Sequence, residues 1–212
     1  MNAKEYIAAR VVKELKQGDI VNLGIGIPTM VVDHLPDDLN IFIHSENGIL
    51  GVGPTPREEE ADPDLVNAGK QPVSTLRGCS FFDSANSFAM IRGGHIDVAV
   101  LGVLEVNERG QIANWAVPGK AVLGVGGAMD LLEGAKRVIV ATMHCRKDGA
   151  PKIVKETAYP LTSHRSVDLI VTELGVFEVR DQQLVLIELS PTVTLEEIEA
   201  KTAADFTVDL VS

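Results

Sequence analysis

The sequence predicts an α/β fold, a single domain built on an open, mainly parallel sheet flanked by helices. Three observations carry this reading. Short runs rich in Ile and Val alternate along the chain with segments of helical apolar spacing. One such run closes on Gly24-Ile25-Gly26 and passes directly into a helix-like stretch, the strand, turn and helix unit of parallel sheets. The composition, with 19 Gly, 10 Pro and only 4% aromatic residues, suits glycine-punctuated turns between buried strands.

Taken in order, residues 3–16 place Tyr6, Ile7, Val11, Val12 and Leu15 near helical spacing, with Gly18 just past the end. A strand over residues 19–23 follows, too apolar in Ile20, Val21 and Leu23 to be exposed. Pro28 then stands at the first turn of a short helix over residues 29–34. Further strands are predicted over residues 40–44, 96–101, 137–142 and 167–172, each short and rich in Ile and Val, as when helices cover both sheet faces. Helices are predicted over Ser84–Arg92, with Asp83 as N-cap, over residues 129–135, and over Leu195–Lys201, where Thr194 and Glu197 have the spacing of a capping box. Residues 177–179 and 184–187 read as a late hairpin. Residues 54–64, with three prolines and the run Glu58-Glu59-Glu60, read as a long acidic surface loop. A single domain thus spans residues 1–212, long enough to hide about 70% of its unfolded surface.

Charge and hydropathy exclude several classes. With 19 Lys+Arg against 30 Asp+Glu, the net charge of −11 opposes binding to a nucleic-acid backbone, which needs a cationic face. Gly, Asp or Pro interrupts every apolar run well before the ~20 residues of a bilayer span. Two cysteines, Cys79 and Cys145, cannot form a disulfide framework, and no secretory leader opens the chain, so a cytoplasmic protein is expected.

Three glycine-rich places hold candidate chemistry. Gly24-Ile25-Gly26 either supplies the positive φ of a tight turn or cradles a phosphate or thiolate with free backbone N–H groups. A dinucleotide fingerprint would need a third glycine where Thr29 stands, so a nicotinamide cofactor is not expected. Ser45-Glu46-Asn47-Gly48 ends an apolar strand and puts a carboxylate at the C-terminal edge of the sheet, where open α/β sheets bind ligands. Gly48, Gly51 and Gly53 would let the backbone approach that ligand closely; the alternative is a solvated turn. Gly124, Gly126 and Gly127 precede a predicted helix and form either a backbone nest for negative charge or a plain helix start. The scattered His34, His44, His95, His144 and His164 read as structural, Cys79 as an inert buried thiol, and Trp115 as core or interface. Glu105 and Asp130 also read as structural.

Taken together, Asn22–Thr29, Ser45–Gly51, Asn67-Ala68-Gly69-Lys70, Ser87–Asp97, Ala113-Asn114-Trp115 with Pro118-Gly119-Lys120, and Gly126-Gly127-Ala128-Met129-Asp130-Leu131 resemble, in register over nearly the whole chain, the B subunit of the family I CoA-transferases acting on short 3-oxoacids. The resemblance implies that Glu46 is the nucleophile and becomes a glutamyl-CoA thioester in a ping-pong reaction. It implies that Gly127, with Gly126, donates to the tetrahedral oxyanion, and that Gly24, Ile25, Gly26, Asn47 and Gly48 lie along coenzyme A. It further implies an A-subunit partner in an A2B2 heterotetramer, CoA as a substrate rather than a permanently bound cofactor, and no metal. Acetoacetyl-CoA or butyryl-CoA with acetate or succinate are the favoured substrates, with 3-oxoadipate as runner-up. Arg57, Lys70, Arg77, Arg92 and Lys120 are unranked candidates for the CoA phosphates, and the acidic run 58–60 is expected to point away from the cleft. The rivals from other classes are a sugar-phosphate isomerase on a similar scaffold and a non-catalytic scaffolding subunit.

Overall fold

The computed structural model describes residues 1–117, 119 and 124–210. Within them the chain runs α1 (Ala3–Val12), β1 (Ile20–Leu23), a 3-10 helix (Ile27–His34), β2 (Phe42–Ser45), β3 (Ile49–Val52), β4 (Thr75–Phe81), α2 (Ser84–Arg92), β5 (Val98–Leu101), β6 (Glu105–Asn107), β7 (Ile112–Ala113), α3 (Ala128–Gly134), β8 (Arg137–Ala141), β9 (Ile153–Val154), β10 (Leu169–Val171), β11 (Gly175–Arg180), β12 (Gln183–Leu189), α4 (Leu195–Lys201) and β13 (Phe206–Val208).

Ten strands form one sheet in the order β13-β12-β11-β10-β8-β5-β1-β2-β3-β4. Its centre, β2-β1-β5-β8-β10, is parallel throughout. Antiparallel β3 and β4 extend one flank, and β11 and β12 extend the other before β13 joins in parallel. Val98–Leu101 is buried along its whole length because helices cover both faces. On one face α1 and the 3-10 helix set Ile7, Val11 and Val31 against Val21, Val100 and Ile139. On the other, α2 and α3 set Ile91, Leu131 and Leu132 against Ala99, Val138 and Val140. Each such side chain contributes about 1.5–3 kcal/mol by leaving water. Among the described residues no helix is long and apolar enough to cross a membrane.

Several expectations change in detail. α1 stops at Val12 rather than at residue 16, because the N–H groups of Lys13, Glu14 and Leu15 bond three residues back, to Arg10, Val11 and Val12, in a tightened last turn. Asn2 and Glu5 complete a capping box at its start, whereas the expected box at Thr194 is half formed. Thr194 Oγ1 accepts from the Glu197 N–H at 3.3 Å, but the Glu197 carboxylate turns to Lys201 at 2.7 Å. The late hairpin is longer than expected, with Asp181 and Gln182 at φ of 49° and 61° as its two-residue turn.

The strands β3 and β4 lie in stretches to which the sequence assigned no strand, and the small sheet β7-β6-β9 has no counterpart among the expected elements. The glycines after Glu46 therefore build a hairpin rather than a ligand-facing loop. Gly48 turns the chain between β2 and β3 at φ +116°, and a Cβ there would lie 1.9 Å from the Phe82 carbonyl oxygen. Cys79 is only half buried, because β4 leaves most of its residues uncovered.

Candidate active site

Parallel β1, β2 and β5 end on the same side of the sheet, and their loops meet the segment that opens α3. A cavity of about 490 Å³ lies at this junction. Gly24 and Ile25 enter it from the end of β1, Glu46 from the end of β2, and Gly126 and Gly127 from the start of α3. The remaining wall is mostly apolar, from Leu101, Val103, Leu104, Trp115 and Leu131. The position is the one topology favours, outside the carboxyl ends of parallel strands.

Glu46 is half buried and its carboxylate lies against the glycine pair. A Cβ on Gly127 would stand 2.1 Å from Glu46 Oε2, and one on Gly126 would stand 3.9 Å from Oε1. Only glycine at 127 lets the carboxylate come this close to the backbone. Burial pushes the Glu46 carboxyl above the ordinary glutamate range, the Gly127 backbone N–H acts in the opposite sense by donating to it, and the Asp130 charge raises it further. Asp130 is itself held by Arg92 at 2.6 Å, a bridge between α3 and α2.

The turn carrying Glu46 is clamped on both sides. The Phe82 N–H donates to Gly48 O at 3.0 Å, Asn47 Nδ2 donates to Val66 O at 2.8 Å, and the Ala68 N–H donates to Ser45 Oγ at 3.1 Å. These bonds give the Asn67–Lys70 block a structural role beside the strand that leads to Glu46. Asn114 Nδ2 donates to Gly102 O at 3.2 Å and Trp115 Nε1 donates to Leu161 O at 3.2 Å, which seats the indole in the cavity wall.

Of the eight site residues expected from sequence, Glu46, Gly24, Ile25, Gly126 and Gly127 share this cavity. Gly26, Asn47 and Gly48 do not line it. Gly26 is exposed and caps the 3-10 helix, the Asn47 amide is engaged by Val66, and Gly48 is buried under Phe82. None of Arg57, Lys70, Arg77 or Arg92 lines it either, and Pro118, Lys120 and Leu123 lie outside the described residues. Glu58, of the acidic run, borders a different cavity of about 440 Å³ with Thr29, Asp33 and Ser45. Sequence reasoning missed Leu101, Val103 and Leu104, whose apolar character marks them as core; only the position after a parallel strand distinguishes them.

The buried His44 and His144 are fully engaged, His144 bonding Thr172 and Thr202 at 3.1 and 3.0 Å. Burial holds both imidazoles neutral, with pKa values down to about 4. Among the described residues no group of three or more His, Cys, Asp or Glu is arranged to hold a metal ion.

A glutamate pressed against a backbone amide in a largely apolar cavity is an arrangement suited to acyl-group chemistry. The family model for Coenzyme A transferase matches residues 4–201, and the chain belongs to that family of enzymes. It is 56% identical over 208 residues to the acetate CoA-transferase subunit beta of Haemophilus influenzae, covering 98% of this chain and 93% of that one. It is 48% identical to the human mitochondrial succinyl-CoA:3-ketoacid coenzyme A transferase 2, covering 98% of this chain but 40% of that longer one. The same fold occurs in the crystal structure of an acyl-CoA transferase apoenzyme from Escherichia coli O157:H7, with a TM-score of 0.78 and 23% identity over 98% of this chain and 42% of that one.

Proposed function

We propose that the chain is the B subunit of a CoA-transferase that moves coenzyme A between a short-chain acyl-CoA, acetoacetyl-CoA or butyryl-CoA, and a small acid such as acetate or succinate, with Glu46 as nucleophile. The observation that carries the reading is the Glu46 carboxylate seated against Gly127 in an apolar cavity. The names of the bacterial and human relatives support the substrate class and the need for a complementary partner chain.

A Glu46 carboxylate oxygen attacks the thioester carbonyl carbon, and the C–S bond breaks to release CoA thiolate and a mixed glutamyl anhydride. The thiolate then attacks the glutamyl carbonyl, the first carboxylic acid leaves as its carboxylate, and Glu46 holds CoA as a thioester. The second acid reverses both steps. No proton transfer and no ATP are needed, because the thioester bond energy is kept in an acyl bond throughout.

Each attack passes through a tetrahedral oxyanion, and the Gly127 N–H, which donates to the Glu46 carboxylate, is the donor this reading assigns to it; one such donor supplies about 3 kcal/mol. The Gly24-Ile25 turn and the apolar wall take the part of CoA or acyl chain nearest the thioester, and they keep water from the anhydride. The A-type partner closes the cavity and adds a second donor, in an A2B2 assembly. Glu46→Gln in the A–B complex tests the assignment: exchange of label between acyl-CoA and free acid is expected to vanish, and near-normal exchange would overturn it.

A further inference from the structure

We infer that His44 is a positioning residue for Glu46, tying the nucleophile strand to α2 and through α2 to the loop that carries Gly127. The inference rests on the reading of Glu46 as nucleophile. His44 is the third residue of β2, and Glu46 is the first residue of the turn that follows, two positions along the chain. The His44 ring is 1% exposed and carries no catalytic step.

Its two nitrogens are both engaged, and by different elements. Asn22 Nδ2, on β1, donates to Nδ1 at 3.0 Å, so the ring proton sits on Nε2 and is donated to Ser87 Oγ of α2 at 3.0 Å. Asn22 and Ser87 are themselves buried. The ring also stacks on Phe82 with centroids 6.0 Å apart, and Phe82 bonds the Gly48 end of the Glu46 turn. A single imidazole thus links β1, β2, the Glu46 turn and α2.

From α2 the chain of contacts continues to the other half of the site. Arg92 at the end of α2 bonds Asp130 in the first turn of α3 at 2.6 Å. Gly134 at the end of α3 lies so close to α2 that a Cβ there would fall 2.2 Å from Ile91 O. α2 therefore sets the spacing between the strand that delivers Glu46 and the helix that begins after Gly127. Loss of the His44–Ser87 bond frees the nucleophile from that frame while leaving every group that touches substrate unchanged.

The experiment uses the assembled A–B enzyme with His44→Leu, His44→Gln and Ser87→Ala, read by kcat, KM for both substrates, thermal midpoint, and borohydride trapping of the glutamyl-CoA with mass spectrometry. His44→Leu is expected to lower kcat about 100-fold with KM nearly unchanged, as for a misplacement of about 1 Å. Gln offers one acceptor and one donor at the ring's height, so His44→Gln should recover most of that loss. Ser87→Ala carries the test if the Leu variant does not assemble, and should lower kcat in the same direction. Wild-type kcat in both His44→Leu and Ser87→Ala, or a loss in proportion to unfolded protein alone, overturns the inference. Trapping distinguishes the two claims: an unlabelled Glu46 in the active wild type defeats the nucleophile reading, whereas labelled Glu46 with unaffected variants defeats only the role of His44.

Discussion

Replacing Gly127 with Ala isolates the contact on which the proposed mechanism depends. The residue has φ −83° and ψ 0°, in the bridge region, which is open to alanine as it is at the third position of type I turns, so the backbone need not move. The new methyl would stand 2.1 Å from Glu46 Oε2, 2.8 Å from Cδ and 3.2 Å from Oε1, and real Cβ contacts essentially never fall below 3.0 Å. The carboxylate must therefore retreat by about 1 Å, a displacement that costs about 100-fold in rate, or ~2.7 kcal/mol of barrier. The assay is steady-state CoA exchange by the A–B complex, with a thermal melt of the same sample. A kcat near 1% of wild type with an almost unchanged melting temperature is expected. A kcat within a few-fold of wild type would refute the reasoning, because the close approach of Gly127 would then have no bearing on the nucleophile. Gly126→Ala is the matched control: at φ +57°, with its nearest neighbour 3.9 Å away, it costs roughly 1–2 kcal/mol in stability but should slow turnover far less.

Other outcomes follow from the electrostatics and the packing. Burial raises the Glu46 pKa, so the acidic limb of kcat/KM should lie above the ordinary glutamate range, as a pH–rate profile will show. The same shift means the fold favours the protonated form and is destabilised as pH rises through the raised pKa. Glu46→Gln should therefore melt slightly higher than wild type near neutral pH, with the gap closing in acid. His44 and His144, held down to about 4, stabilise the fold fully above their unfolded value and lose that contribution as pH falls toward 4. The loss is about 3 kcal/mol per histidine over that window, measurable as a drop in the urea midpoint that is smaller in His44→Gln. Arg10, 8% exposed and bonded to Glu14 and Glu188, should destabilise the fold by about 2–3 kcal/mol when changed to Met, with kcat unaffected in the folded fraction.

The legible elements were those whose signals are local. Asp83 before Ser84–Arg92 and Thr194 before Leu195–Lys201 mark helix starts by side-chain capping, and both helices have the expected bounds. The buried runs around Val21, Val100 and Ile139 stand out because both faces of a parallel strand are apolar. Thr75–Phe81 carries no such run: it is an edge strand, mostly exposed, and its pairing with β3 is decided by tertiary contacts. Strands as short as Ile112–Ala113 and Ile153–Val154 leave no periodicity to read.

The same division holds at the site. A glutamate at the end of an apolar strand announces its place in an α/β sheet, and Glu46 is found in the cavity there. Gly48 and Gly127 look alike in sequence, yet one is required by the Phe82 carbonyl and the other by the Glu46 carboxylate. That distinction arises only when distant segments meet. Val103 and Leu104 line the cavity for the same reason and carry no signal of it.

The most direct measurement of the central claim is the mass of the B chain after brief incubation of the A–B enzyme with acetoacetyl-CoA, followed by borohydride reduction and peptide mapping. The account predicts that the peptide containing Ser45-Glu46-Asn47 carries the reduced glutamyl group, with every other acidic peptide unchanged. An unmodified Glu46 in an enzyme that is turning over, or modification at another carboxylate, would contradict it.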